Sequence, residues 1–94
     1  MAVARVVMFE DVDAERMASA QRDLDAGERP EGLPATELIM LHDREGGKAL
    51  AIIFFENEDD YAKGDQVLGA MPADETPGRR ASVTKYDVVA HART

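Results

Sequence analysis

The segment Ala49–Phe55 reads ALAIIFF, and every side chain in it is apolar. A run this short, rich in β-branched and aromatic residues, is typical of a β-strand. Successive side chains of a strand point to opposite faces of its sheet, so this strand would present apolar groups to both faces. We therefore expect it to lie within a sheet that is covered on both sides.

Three further runs have the length and composition of strands. They are Val3–Phe9 (VARVVMF), Thr36–His42 (TELIMLH) and Ala81–Ala90 (ASVTKYDVVA). The segment DREGG separates the second of these runs from ALAIIFF, and its paired glycines favour a tight hairpin. The sequence thus predicts four strands, of which the second and third along the chain are neighbours.

The segment after the first strand predicts a helix. Apolar side chains recur at helical spacing from Ala14 onward, while charged residues occupy the other positions. Asp11 or Asp13 can accept hydrogen bonds from the free N–H groups that open this helix. Gly27 is the predicted end, because glycine adopts the left-handed conformation without penalty.

A second helix is predicted after ALAIIFF. Asn57 is its candidate N-cap, with Asp60 as the other half of a capping box, and Pro72 ends it. Gly64 lies in the middle of this helix, where glycine costs about 1 kcal/mol relative to alanine. This cost indicates either a place where another backbone approaches closely or a position that is not optimised for helix stability.

The order strand, helix, strand, strand, helix, strand predicts the α+β, ferredoxin-like βαββαβ fold. We expect a four-stranded antiparallel sheet with two helices on one face. The 94 residues contain no repeat or linker, so residues 1–94 are predicted to form a single domain.

Two helices cover only one face of such a sheet, and strand parity assigns side chains to the other. We assign to the uncovered face Val3, Val7, Phe9, Leu38, Met40, Val83 and Val89, with Arg5, His42, Lys85 and Asp87 among them. This set is too apolar to remain in water. We therefore expect a homodimer that is joined through the uncovered face.

These features resemble the dimeric α+β barrel superfamily, which includes the antibiotic-biosynthesis monooxygenase-like proteins. The resemblance covers nearly the whole chain and includes Asn57 and Tyr61 after the third strand and the segment TPGRRASVTKYDVV entering the fourth. It implies a ligand cavity between the sheet and the nearby helices and loops. Members of the superfamily include cofactor-independent oxygenases, isomerases, haem-binding enzymes and proteins of unknown role.

The resemblance implies a role for Asn57 and Tyr61 in substrate binding. In the monooxygenase-like members, an asparagine and an aromatic residue on this helix bind a polyphenolic substrate. Asn57 is also a typical N-cap, and Tyr61 falls where the helix should face the sheet, so we favour capping and packing as the explanation of the pair. The family's oxygenases often use a tryptophan, and this sequence has none, which argues against an oxygenase.

His42 ends the second strand on the proposed cavity face. A histidine there suits a general base that takes a phenolic proton and leaves a carbanion able to react with O₂. The alternative is a solvated residue at a strand end, beside Asp43.

Five further residues are candidates for substrate binding. Arg5 could stabilise an oxyanion, and Asp87 could orient His42 or pair with Lys85. Phe9 and Met40 would supply apolar walls of the same cavity. The alternative for the charged residues is a polar network that fixes the register of the dimer.

Composition excludes several classes of function. The formal net charge is −8, from 19 acidic and 11 basic residues, so nucleic acid is not expected as a partner. There is no cysteine, the two histidines lack metal-ligand spacing, and no glycine-rich phosphate loop is present, so we expect no metal and no cofactor. No apolar run approaches the roughly 20 residues that cross a bilayer, and we expect no membrane partner and a cytoplasmic protein.

Two hypotheses for the function follow. The first is a cofactor-independent, monooxygenase-like oxidoreductase acting on a small aromatic or polyketide-like molecule. The alternative is a non-catalytic ligand-binding or accessory homodimer. An open cavity of a few hundred Å³ would favour the first hypothesis, and a cavity filled by side chains would favour the second.

Overall fold

The computed structural model describes residues 2–94. Its elements are β1 (Val3–Glu10), α1 (Ala14–Asp25), β2 (Glu37–Asp43), β3 (Lys48–Phe55), α2 (Glu58–Gly69), a single 3₁₀ turn (Ala73–Glu75) and β4 (Arg79–Asp87). The strands form one antiparallel sheet in the order β2-β3-β1-β4. The predicted ferredoxin-like α+β fold is confirmed. Among the element bounds, the largest difference between prediction and structure is in β4. The strand begins at Arg79 and not at Ala81, and it ends at Asp87 and not at Ala90.

Both helices lie on the face of the sheet that we had assigned to the uncovered side. The core on this helix face consists of Val3, Val7, Phe9, Ala49, Ala51, Ile53 and Phe55 from the sheet, with Met17 and Leu68 from the helices. The assignment of Arg5 and its neighbours to the uncovered face was therefore wrong. Parity separates a strand into two sets of side chains, but when both sets are apolar it does not say which set meets the helices.

The opposite side of the sheet, called the open face below, is also apolar. It carries Val6, Met8, Ile39, Leu41, Leu50, Ile52, Phe54 and Tyr86. Three of these side chains are exposed in the single chain, Met8 at 37%, Leu41 at 49% and Tyr86 at 55%. Neither helix packs on this face.

The C-terminal residues cross one end of the open face. The Val88 N–H donates to the carbonyl of Ala2 at 3.0 Å, which continues the pairing of β4 with β1 beyond Asp87. The His91 ring then stacks on Phe54, with ring centroids 5.3 Å apart and planes within 10°. Its Nε2 lies 3.4 Å from Oε2 of Glu37. His91 thus covers part of the sheet.

Helix α2 packs closely on the sheet because of Gly64. This glycine is buried, and a Cβ placed on it would overlap the ring of Phe55. The close approach predicted at Gly64 is real, but its partner is an aromatic ring of β3 and not a backbone. At the start of the helix, Oδ1 of Asn57 accepts a hydrogen bond from the Asp60 N–H at 2.8 Å, so Asn57 is the N-cap.

Helix α1 stands further from the sheet than α2 does. Its N-cap is Asp13, which accepts from the N–H groups of Glu15 and Arg16. Gly27 follows its C-terminus with φ +84°, and the Glu28 N–H donates to the carbonyl of Asp23, as in a Schellman motif. Neither α1 nor α2 is long and apolar enough to span a bilayer.

Candidate functional site

A cavity of about 520 Å³, open to solvent on one side, lies between α1 and the sheet. Ligand-binding cavities in proteins commonly have volumes of about 300–1,000 Å³. Apolar side chains form most of its interior: Val7, Phe9, Leu24, Leu38, Met40, Ala51, Ile53, Leu68 and Met71. These residues come from all of β1, β2 and β3 and from both helices, so the cavity lies at the centre of the fold.

Hydrogen bonds from Arg16 help to hold α1 at its distance from the sheet. Its Nη1 donates to the carbonyls of Ala73 and Thr76 at 3.0 and 3.2 Å, which ties α1 to the segment before β4. The Thr76 hydroxyl has two possible acceptors in the same segment, the carbonyl oxygens of Ala73 at 2.8 Å and Gly78 at 2.9 Å. The roof of the cavity is thus braced by polar contacts at its edge, in addition to the packing of Met17 in the core.

Arg5 is a charged residue inside the cavity. It is only 3% exposed, because β1 is a central strand and α2 passes over it. Its Nε donates to Oδ1 of Asp65 at 2.9 Å, and the Asp65 side chain is half exposed at the surface of α2. This ion pair balances the charge of Arg5 and fixes the guanidinium beside α2.

Arg80 is the second cation in the interior, and a β-bulge places it there. The β1–β4 ladder pairs Met8 with Ser82 but Phe9 with Arg80, so Ala81 is the extra residue. Without the bulge, Arg80 would share the open face with Ser82; with it, Arg80 joins Phe9 on the helix face. Strand parity alone gave no sign of the bulge.

The contacts of Arg80 are made within the domain. One Nη donates to the carbonyl of Leu68 at 3.2 Å, and Nε is buried without a hydrogen-bond partner among residues 2–94. The preceding Arg79 points away from the cavity and is exposed, with one Nη 3.0 Å from Oε2 of Glu10. Of these two neighbouring arginines, Arg79 therefore lies at the surface and Arg80 in the interior.

The mouth of the cavity carries charges of both signs. Its charged residues are Arg16, Asp23, Glu28, Arg29, Asp74 and Glu75, and all six are exposed. Of the charged residues that line the cavity, only Arg5 and Arg80 are not exposed. The interior therefore has a positive polarity that differs from the mixed charge of the mouth and from the net charge of the chain.

Three of the eight predicted site residues line the cavity, namely Arg5, Phe9 and Met40. Five lie outside its lining: His42, Asn57, Tyr61, Lys85 and Asp87. The His42 side chain is exposed on the edge strand β2, where it pairs with Ala49. Tyr61 packs at the other end of β3, against Phe55. At about 3.3 Å per residue, those two positions on β3 are about 20 Å apart, so the structure does not bring His42 and Tyr61 together.

Tyr61 of α2 contacts one aromatic and one charged side chain of the sheet. Its ring meets Phe55 edge to face, with centroids 5.6 Å apart, and the Lys85 ammonium lies 5.2 Å from its centre. Burial, and next the Asp65 carboxylate, raise the pKa of Tyr61 above its usual 10.0. The tyrosine is therefore neutral at physiological pH and acts here as a packing group.

Lys85 and Asp87 take separate positions on β4. Lys85 forms an ion pair with Glu58 in the first turn of α2, and this hydrogen bond is the main cause that raises the pKa of Lys85. Asp87 is exposed opposite Val3 at the end of the strand. Across the described part of the chain, no group of histidine and carboxylate side chains is arranged to hold a metal ion.

Comparison with known proteins agrees with this architecture. No protein-family profile and no curated protein matches the sequence. A solved structure, "Structure of Rv0793 from Mycobacterium tuberculosis", is similar over 99% of this chain and 100% of that chain, with a TM-score of 0.62 and 14% sequence identity. At this identity the likeness concerns the fold alone. The chain thus has the ferredoxin-like α+β fold, with a cavity between α1 and the sheet.

Proposed function

We propose that this chain binds a small, largely apolar molecule, aromatic or polyketide-like, in the cavity between α1 and the sheet. The observation that carries the proposal is the cavity of about 520 Å³ with its apolar interior. An unfilled apolar space costs packing energy, which a chain of this size can rarely spare. A bound molecule that fills the space would recover those contacts.

The proposal includes a homodimer in which a second copy covers the open face. Eight apolar side chains share this face, and Met8, Leu41 and Tyr86 are exposed on it in the single chain. A contiguous apolar surface of this kind is typical of a protein–protein interface. A two-fold axis through the sheet would bury the same set of residues on both subunits.

A second candidate is a catalytic role for the same cavity, as a cofactor-independent, monooxygenase-like oxidoreductase. The resemblance to the antibiotic-biosynthesis monooxygenase-like proteins motivates it, together with the buried guanidinium of Arg5 in an apolar cavity. Arg5 would stabilise the phenolate of an anthrone-like substrate, and the phenolic proton would leave to water. The resulting electron-rich carbon would react with O₂. The substrate's CH₂ becomes C=O, with one oxygen atom entering the carbonyl and the other leaving with both hydrogens as water.

Binding of a neutral aromatic fluorophore tests the primary proposal. N-phenyl-1-naphthylamine should bind the wild-type protein, with enhanced emission in an apolar site. Ala20, on the face of α1 that lines the cavity, is replaced in the variant Ala20→Phe, which fills part of the space. The variant Ala62→Phe adds the same group at an exposed position of α2 outside the cavity lining and serves as the control.

We expect Ala20→Phe to weaken binding about tenfold or more, since a ring fills the space that the probe needs, and Ala62→Phe to leave it unchanged. Equal binding by both variants would place the probe elsewhere and contradict the proposal.

O₂ uptake with anthrone tests the catalytic candidate separately. Uptake that Arg5→Met does not slow would exclude the role given to Arg5.

A further inference from the structure

We propose that Arg80, assisted by Arg5, binds a carboxylate group of the cavity's ligand. This inference rests on the proposed function, because it concerns the same cavity, and it narrows the ligand to an apolar molecule that carries one carboxylate. The mouth of the cavity would then admit the apolar part, and the acid group would lie on the side of the cavity formed by α2.

The two arginines both form a hydrogen bond with α2. Arg5 donates to the side chain of Asp65, and Arg80 donates to the backbone carbonyl of Leu68. Asp65 and Leu68 are three positions apart, which is about one helical turn. The two arginines therefore meet neighbouring turns of α2, although their Cα atoms lie on different strands and different rungs of the sheet.

The charges of the two arginines are not equally balanced. Arg5 has Asp65 as its counter-ion, at 2.9 Å. No carboxylate among residues 2–94 lies within 4.0 Å of the Arg80 guanidinium, whose hydrogen bond to Leu68 goes to a neutral carbonyl. The interior therefore has one cation without a counter-ion. A single negative charge on the ligand would balance it, whereas a dianion such as a phosphate monoester would leave an excess.

The hydrogen bonding of Arg80 favours the same ligand. Its buried Nε has no partner in the part of the chain that the structure describes. A buried donor without an acceptor is costly, and a guanidinium is well suited to a planar carboxylate, which accepts two parallel hydrogen bonds. A small movement of Arg80 toward the cavity would present its Nε–H to the carboxylate of the ligand. The apolar part of the ligand would remain in contact with Met40 and Ile53.

A pair of ligands with the same ring system tests the inference. Anthracene-9-carboxylate carries the charge, and 9-anthracenemethanol is its neutral counterpart. We expect the wild-type protein to bind the carboxylate about 10- to 100-fold more tightly, as measured by fluorescence titration, because the charge-assisted hydrogen bonds are made only by the acid. We expect Arg80→Gln to reduce this preference, which is the ratio of the two affinities in the same variant, to about twofold or less.

Arg79→Gln is the matched control. It removes the same charge from the adjacent position, but Arg79 is exposed and paired with Glu10. We expect it to retain the preference for the carboxylate. Loss of the preference in both variants would mean that the combined positive charge of Arg79 and Arg80, and not a contact made by Arg80, attracts the acid, and would overturn the assignment to Arg80.

Two further outcomes separate this inference from the proposed function. Equal affinity of the wild type for both compounds would overturn the carboxylate site and leave the binding cavity in place. Binding of neither compound would overturn both proposals. If circular dichroism shows that Arg80→Gln does not fold, Arg80→Lys replaces it. Lysine keeps the charge without the planar fork, so we expect a severalfold loss of preference, and an undiminished preference would contradict the inference.

Discussion

Gly64 lies directly against the ring of Phe55, and this contact sets how closely α2 approaches the sheet. Phe55 is fully buried, so its ring has little freedom to move aside. Because α2 is held close and α1 is held away, the two helices play different parts: α2 completes the core, and α1 forms the roof of the cavity.

We expect Gly64→Ala to destabilise the protein by about 1–3 kcal/mol, because overpacking against Phe55 outweighs the better helix propensity of alanine. Urea unfolding measures the change. Gly69→Ala is the control on the same helix, where a Cβ would meet nothing within 4 Å. There the gain in propensity should stabilise the protein by up to about 1 kcal/mol. A Gly64→Ala protein as stable as the wild type would show that Phe55 can move aside.

Asn57→Ala should separate capping from ligand binding. Loss of the hydrogen bond to the Asp60 N–H should lower the free energy of unfolding by about 1 kcal/mol. Since Asn57 lies outside the cavity lining, the affinity for N-phenyl-1-naphthylamine should not change. Asn57→Asp keeps an acceptor at the N-cap and should recover most of the stability. A large loss of affinity in a variant that remains stable would instead support the substrate-binding role that the resemblance implies for Asn57.

The proposed dimer predicts that wild-type protein has twice the 10.3 kDa mass of the chain in light scattering. Leu41→Glu places a charge on the open face and should yield a monomer, because an unpaired carboxylate would be buried in the interface. Val83→Glu is the control: Val83 is similarly exposed, at 41% against 49% for Leu41, but it faces the other side of the sheet. A wild-type monomer, or a dimer that persists in Leu41→Glu, would contradict the proposed interface.

Tyr61 should titrate above pH 10.0, because burial and the Asp65 carboxylate both disfavour its phenolate. In the variant Tyr86→Phe it is the only tyrosine, so near-ultraviolet absorbance follows it alone. Asp65→Asn should lower the midpoint. The folded chain holds this proton to higher pH than the unfolded chain, so the contribution of Tyr61 to stability is fully present below pH about 10 and is lost as the pH rises through its folded-state pKa. A midpoint at or below 10.0 would contradict the burial of this ring.

The order of the helices and strands could be predicted from the sequence, because the spacing of apolar residues, the capping residues and the glycines mark each element. Asn57, Gly27 and Gly64 each occupy a local structure that their chemistry favours. The side of the sheet that the helices cover could not be predicted, since β1 and β3 are apolar on both faces. That choice depends on which way the connections cross the sheet, and no single strand contains this information.

The positions of the candidate site residues follow from the same limit. Arg5, Phe9 and Met40 line one cavity because parity keeps them on one face. His42 shares their parity but lies on an edge strand beyond the reach of both helices, so it remains in solvent. Arg80 was missed because the bulge depends on how β4 pairs with β1, which is a property of two segments far apart in the chain.

The extra residue in β4 also means that the polarity of the cavity depends on how two strands pair as well as on residue type. If the same residues paired with β1 without the bulge, Ala81 would lie opposite Phe9 and the side chain of Arg80 would point outward, since one step along a strand reverses the direction of a side chain. A related chain without the bulge could therefore keep this arginine and still lose a positive charge from its interior, and an alignment that scores only matching residues would record the arginine as unchanged.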